Sequence, residues 1–275
     1  MTLFSNKPPC PICGGRISWL LPSKVEDEYI CGTCHNKIDM ETDKANHLTM
    51  QSFKEYLTFY DQNQLLRGQF VCSETIDLGR WDAKIIFDYQ NKLFSMSKNP
   101  DKTVFEGNQL KSFTITEDGS PLFEGSAKGI RRYASTVPKS AMALEPQITS
   151  FVMNRQVARA LNKREDGKED GTAPMQVFAV PEPFRAFHVE LHVDHPYWTV
   201  ITCDMDGPRF DNDLPDVSIY LCSYQRCMEE IEKLVAAFRM VAFPNAPEQS
   251  VGSGTAQAVH TTMAPPADAV EEIKK

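Results

Sequence analysis

No stretch of this 275-residue chain contains the 18 or so consecutive apolar residues that a membrane-spanning helix requires. Met1 to Pro9 also lacks the long apolar run of a signal peptide, which predicts a cytoplasmic protein. Positive charge is in deficit: 29 Lys and Arg stand against 37 Asp and Glu, for a formal net charge of −8. Attraction to nucleic-acid phosphates would have to work against that field, so a nucleic-acid-associated role is the least expected. The chain has no Gly-rich phosphate cradle, no nucleophile elbow and no H-E-x-x-H pair. With no catalytic constellation to assign, an enzyme is not expected.

Four of the eight cysteines form a pattern. Cys10 and Cys13 make one C-x-x-C pair and Cys31 and Cys34 a second, with residues 14–30 between them. Two tight turns of this kind each present two thiolates, and a fold-back of the intervening chain lets four sulfurs surround one metal tetrahedrally. Pro11 stiffens the first turn, Gly14 and Gly15 follow it, and Gly32 lies in the second, where positive φ costs glycine little. Between the pairs, Ile17, Trp19, Leu20 and Leu21, then Tyr29 and Ile30, predict two short strands around a polar turn at Ser23 to Glu28. Residues 8–38 thus read as a zinc ribbon holding one Zn2+. Four thiolates fill a tetrahedral shell, which makes the zinc structural rather than catalytic. His35 is a less suitable ligand, because a side chain adjacent to a ligand points elsewhere. So small a module cannot bury enough surface alone, and the metal is expected to supply on the order of 10 kcal/mol of its folding energy. Reduced metal-binding thiols also suit a cytoplasmic setting. Cys72, Cys203, Cys222 and Cys227 show no ligand spacing and are expected in small apolar roles.

Residues 39–67 read as a polar bridge followed by a docking helix. Met50, Phe53, Leu57 and Tyr60 form its stripe, and Thr49 or Ser52 is its cap. From Gly68 the pattern becomes that of strands: Phe70–Leu78, Ala83–Tyr89, Lys92–Ser97, Val104–Phe105 and a hairpin around Asp118-Gly119. Residues 125–149 resist assignment, and Ile148 to Leu161 fits helix or strand. Lys163 to Ala173 reads as a charged loop, and Met175–Val180, Arg185–Val193 and Trp198–Cys203 as further strands. Leu221, Tyr224, Met228, Ile231, Leu234, Val235, Phe238 and Val241 mark the longest amphipathic helix, with Asp216 or Ser218 as its cap and Pro244 as its stop. Residues 245–275 read as a flexible tail, with helical character at Ala267 to Lys275. The fold class is α+β, a curved antiparallel domain over 68–244 closed by a C-terminal helix, an order that pleckstrin-homology-like domains share.

CPICGG and CGTCH, FHVELHVDHPYW, DGPRFDNDLPDVSIYLCSY and the helix ending in VAFPNAPEQ resemble an uncharacterised bacterial family. Its members carry an N-terminal four-cysteine ribbon followed by a pleckstrin-homology-like domain. The resemblance runs from about Cys10 to Gln249 and implies zinc on Cys10, Cys13, Cys31 and Cys34, with no transferable activity. PPADAVEEIKK resembles the opening of a short helical module with which such proteins finish.

His188, Glu190 and His192 alternate along one strand and, with His195 and Asp204, Asp206, Asp211 and Asp213, could make a second metal site; the solvent face of an antiparallel strand beside a polar loop is the preferred explanation. Asp204-Met205-Asp206-Gly207 fails the EF-hand pattern. Lys128, Arg131 and Arg132 form the main basic group, near Tyr133 and Lys139, and could meet an anion or a lipid head group; a solvated loop is the alternative. The resulting expectation is a zinc-binding adaptor whose partner is another protein. Anion or lipid-head-group binding, with peripheral membrane contact, is the competing reading.

Overall fold

The computed structural model describes residues 8–18, 22–79, 84–96, 102–162, 178 and 182–251. It is mixed α+β with predominantly antiparallel sheets. Among the described residues no helix is long and apolar enough to cross a membrane.

A two-stranded hairpin comes first, β1 (Ser23–Val25) with β2 (Glu28–Ile30). Ser23–Val25 falls where a turn is expected, because the reversal needs only Glu26 and Asp27, with Glu26 in left-handed backbone at φ 51°. The expected strand residues Trp19, Leu20 and Leu21 lie outside the described residues. Two short helices follow, α1 (Gly32–His35) and α2 (Thr42–Asn46), and then the 20-residue α3 (Met50–Gln69). Thr49 caps α3: its hydroxyl accepts the Ser52 N–H, and the Ser52 hydroxyl accepts the Thr49 N–H in return. Phe53, Tyr56, Tyr60 and Asn63 are the buried face of α3, so the stripe is rotated from the expected 50–53–57–60 set.

β3 (Glu74–Asp77), β4 (Lys84–Asp88), β5 (Leu93–Ser95) and β6 (Val104–Glu106) form an antiparallel meander in chain order. A single 3-10 turn at Gly107–Gln109 leads into β7 (Leu110–Glu117), which pairs with β8 (Ser120–Ser126). Their connection is the two-residue Asp118-Gly119 turn, both residues at positive φ, as a twisted hairpin requires. β9 (Gly129–Tyr133) follows, then two helices in the stretch that periodicity left open, α4 (Val137–Ala143) and α5 (Glu145–Asn162). The second sheet adds β10 (Ala186–Val193) and β11 (Val200–Asp206) beside β7. Of the expected Met175–Val180 strand only Phe178 is described, and the charged 163–173 loop lies outside the described residues.

α6 (Val217–Ala242) begins at Asp216, whose carboxylate accepts the Ile219 N–H at 2.9 Å. Its apolar face enters the main core. Phe238, fully buried, meets Phe87 of β4 at 5.4 Å, Phe94 of β5 at 6.4 Å and Phe113 of β7 at 5.1 Å between ring centroids. One side chain therefore touches both sheets. Residues 248–251, expected in a flexible tail, form β12 (Glu248–Val251), parallel to β9. The order of the six-stranded sheet is β11-β10-β7-β8-β9-β12. Phe243 and Ala246 are buried in the main core and bring the chain back to that edge, which is why the strand forms.

Candidate metal centre

Each half of the four-cysteine cluster is shaped by its own backbone. In the first, the Gly14 N–H donates to the Cys10 carbonyl at 2.8 Å and the Cys10 N–H to the Gly15 carbonyl at 2.9 Å, with Gly14 at φ 70°. A Cβ on Gly15 would stand 3.1 Å from Cys13 Sγ, so the turn is drawn tightly around sulfur. In the second, Cys31 caps α1: its Sγ accepts the Cys34 N–H at 3.5 Å. Gly32 is the first residue of that helix and has no positive φ, contrary to expectation. The hairpin β1–β2 supplies the fold-back between the halves, with Val25 and Ile30 buried beneath it.

The four sulfurs lie within 4.8 Å of one another, with Cys10 to Cys34 at 3.9 Å and Cys13 to Cys31 at 3.4 Å. Zinc bonds of about 2.3 Å in a tetrahedron set sulfurs roughly 3.8 Å apart, so the donor set and spacing fit such an ion. Gly15 N–H also donates to Cys13 Sγ, at 3.4 Å. Three of the cysteines are buried and Cys13 is exposed. Without a cation the thiols are uneven: burial opposes ionisation of Cys10, yet N–H groups of Cys31, Cys13 and Ile12 pull it down to about 6. Cys34 is pushed up, first by burial and then by the neighbouring thiols of Cys13 and Cys31. His35 is exposed and stands outside the cluster.

The cluster is continuous with a second core. Cys10, Cys31 and Cys34 pack with Ile17, Val25, Ile30, Met40, Leu48, Phe53, Tyr56 and Tyr60. Residues 39–48 are pinned to the sheets rather than free. Asp39 accepts the Thr103 N–H at 2.7 Å and pairs with Lys102 at 3.3 Å, while its carbonyl accepts Trp198 Nε1 at 3.2 Å. Glu41 accepts the N–H groups of Thr199 and Val200. Burial alone would raise its pKa, but these donors and Lys44 hold it below the usual carboxylate range. Periodicity carries no sign of these polar anchors.

The other candidates are not gathered. His188 Nδ1 bonds Asp204 at 2.7 Å and His192 Nε2 bonds Glu190 at 2.7 Å, as separate pairs on the outer face of β10. His195 is buried elsewhere, against the rings of Phe59, Phe105 and Tyr197. Among the described residues the four cysteines are the group suited to a metal. Lys128, Arg131 and Arg132 are divided by strand alternation. Arg131 pairs with Glu124 at 3.5 Å and lines one hollow with Lys128, whereas Arg132 bonds Glu232 of α6 and lines another.

A family model described as a domain of unknown function, DUF4428, matches residues 8–56. That stretch holds the cysteine cluster, the hairpin, α1, α2 and the first turns of α3, the elements that share the smaller core. No curated protein and no solved structure matches the chain. By these comparisons the N-terminal unit, over residues 8–56, is similar to an uncharacterised domain.

Proposed function

We propose that this is a non-enzymatic cytoplasmic interaction protein whose zinc, held by Cys10, Cys13, Cys31 and Cys34, is structural. The observation that carries the reading is the convergence of four sulfurs within 4.8 Å, three of them in a core shared with α3. Four thiolates would leave the ion no position for water or substrate. The zinc then holds an N-terminal unit that is bonded to both sheets, through Asp39 to Thr103 and Glu41 to Val200. Such a frame presents surfaces and does no chemistry of its own.

The sheets with α6 are read as a pleckstrin-homology-like domain. In favour are the antiparallel meander β3–β6, the hairpin β7–β8, and an amphipathic α6 whose Phe238 reaches both sheets. The helices α4 and α5 and the added strand β12 depart from the simplest form of that fold.

Metal analysis by mass spectrometry on protein purified without added metal tests the zinc. One zinc per chain is expected in the wild type, and none in Cys10→Ser or Cys31→Ser. Protein without metal, or metal retained in both variants, overturns the reading.

A further inference from the structure

The strand β12 lies along β9 with little to hold it. It pairs in parallel, from Glu248 opposite Ile130 to Val251 opposite Tyr133, and the Ile130 N–H donates to the Pro247 carbonyl at 2.8 Å. All four of its side chains are exposed. Among the described residues one ion pair supports it, Glu248 with Arg239 at 3.1 Å, and both partners are about half-exposed. A pair so exposed contributes little.

Beside β12 runs a cleft of about 550 Å³ between α6 and the β8–β9 strands. Phe123, Ile130 and Val235 line its apolar part, and Arg132, Arg239 and Glu232 its charged part. Glu248 also lines it, and alternation puts Ser250 on the same face of β12 as Glu248. Ser250 is too small to fill the cleft. The chain's own strand therefore satisfies the backbone edge and one arginine, and leaves apolar volume unused.

We propose that the β9 edge and this cleft are a docking site for an extended peptide bearing an acidic residue, then any residue, then a large apolar residue, and that residues 248–251 are its exchangeable internal occupant. The edge offers backbone hydrogen bonds to any extended segment, and the pattern supplies selectivity. Once Glu248 leaves, Lys92, Arg132 and Arg239 face Glu232 alone on the rim, so the site carries the charge that an acidic residue complements. The apolar residue, two positions on, fills the volume beside Phe123 and Val235. Because the internal strand is tethered, it competes at a high effective concentration and must be displaced.

This deepens the interaction reading above and rests on it for the existence of a partner. The zinc measurement and the one that follows fail independently, since neither variant set touches the other site. The probe is a fluorescent peptide of residues 245–251 carrying Ser250→Leu, and the readout is anisotropy with the full-length chain. A chain carrying Gln249→Pro, which removes a strand N–H from β12, is expected to bind the probe about tenfold tighter than the wild type. Adding Arg239→Glu to that chain should abolish binding. Equal binding to wild type and Gln249→Pro, binding to neither, or indifference to Arg239→Glu overturns the proposal. So does a Gln249→Pro chain that binds phosphatidylserine vesicles and not the peptide. A second test needs no proline: Ser250→Leu in the otherwise intact chain should slow amide exchange over 248–251 about threefold by filling the cleft. Unchanged exchange there also overturns it.

Discussion

Asn63 on α3 makes both backbone hydrogen bonds of Val104, accepting its N–H at 3.1 Å and donating to its carbonyl at 2.8 Å. A side-chain amide thus takes the place of a neighbouring strand on the outer edge of β6 and closes that edge to other pairing. Both residues are buried, so neither backbone group has water to fall back on. This contact attaches the four-cysteine unit to the four-stranded sheet.

Replacing Asn63 should therefore be costly. Asn63→Ala leaves a buried N–H and a buried carbonyl without partners, and a loss of about 2–3 kcal/mol in urea unfolding is expected. A loss under about 0.5 kcal/mol would mean that the edge finds other partners.

Two glycines should respond in opposite ways. A Cβ on Gly107 would stand 2.2 Å from the Val241 carbonyl oxygen, so Gly107→Ala must push α6 off the sheet and should cost about 2–3 kcal/mol. Gly68 is inside α3 and a Cβ there would meet nothing within 4 Å, so Gly68→Ala should stabilise by about 0.5–1 kcal/mol. Denaturant midpoints of the two variants decide the matter, and a stable Gly107→Ala protein would contradict this packing.

Acid should weaken the junction through His195. Burial pushes its pKa down to about 4, Lys44 acts in the same direction and Asp39 opposes them. Its Nδ1 accepts the Tyr197 N–H at 3.2 Å, which leaves the proton of the neutral ring on Nε2, buried without a partner among the described residues. The folded pKa lies below the unfolded value of about 6.5, so the unfolded chain takes up the proton first. This stability is complete above pH 6.5 and is lost as pH falls toward 4, on the order of 3 kcal/mol in all. Unfolding measured across that window should be flatter for His195→Phe, and parallel curves would exclude His195 as the source.

Removing the metal should act on one core before the other. Cys10, Cys31 and Cys34 share their core with Phe53, Tyr56 and Tyr60, whereas Phe87, Phe113 and Phe238 belong to the larger one. A chelator is expected to speed amide exchange in 10–35 and 50–60 while 228–238 stays protected. Uniform acceleration throughout would show that the two cores unfold as one.

Part of this was legible in the residues alone, because it depends on neighbours along the chain. The cysteine spacing dictates two sulfur-bearing turns, Asp118-Gly119 dictates a hairpin, and the apolar stripe of residues 221–241 dictates a helix with a buried face. The rotation of α3 was not legible, since Leu57 and Tyr56 fit a stripe equally well until a partner surface chooses between them. Nor was β12, a polar run that becomes a strand only because Phe243 and Ala246 are held in the core and deliver it to the edge of β9.

What the sequence determined by itself was local: which thiols come in pairs, where turns reverse the chain, and which helix face is apolar. Tertiary structure alone decided that Asn63 would serve as a strand, that Asp39 and Glu41 would bind the N-terminal unit to the sheets, and that His195 would be sealed among three rings. The physical reason is that each of these is a hydrogen bond or a burial between segments far apart in the chain. Such a contact leaves no period in the sequence, and its energy exists only once the chain has brought the two groups together.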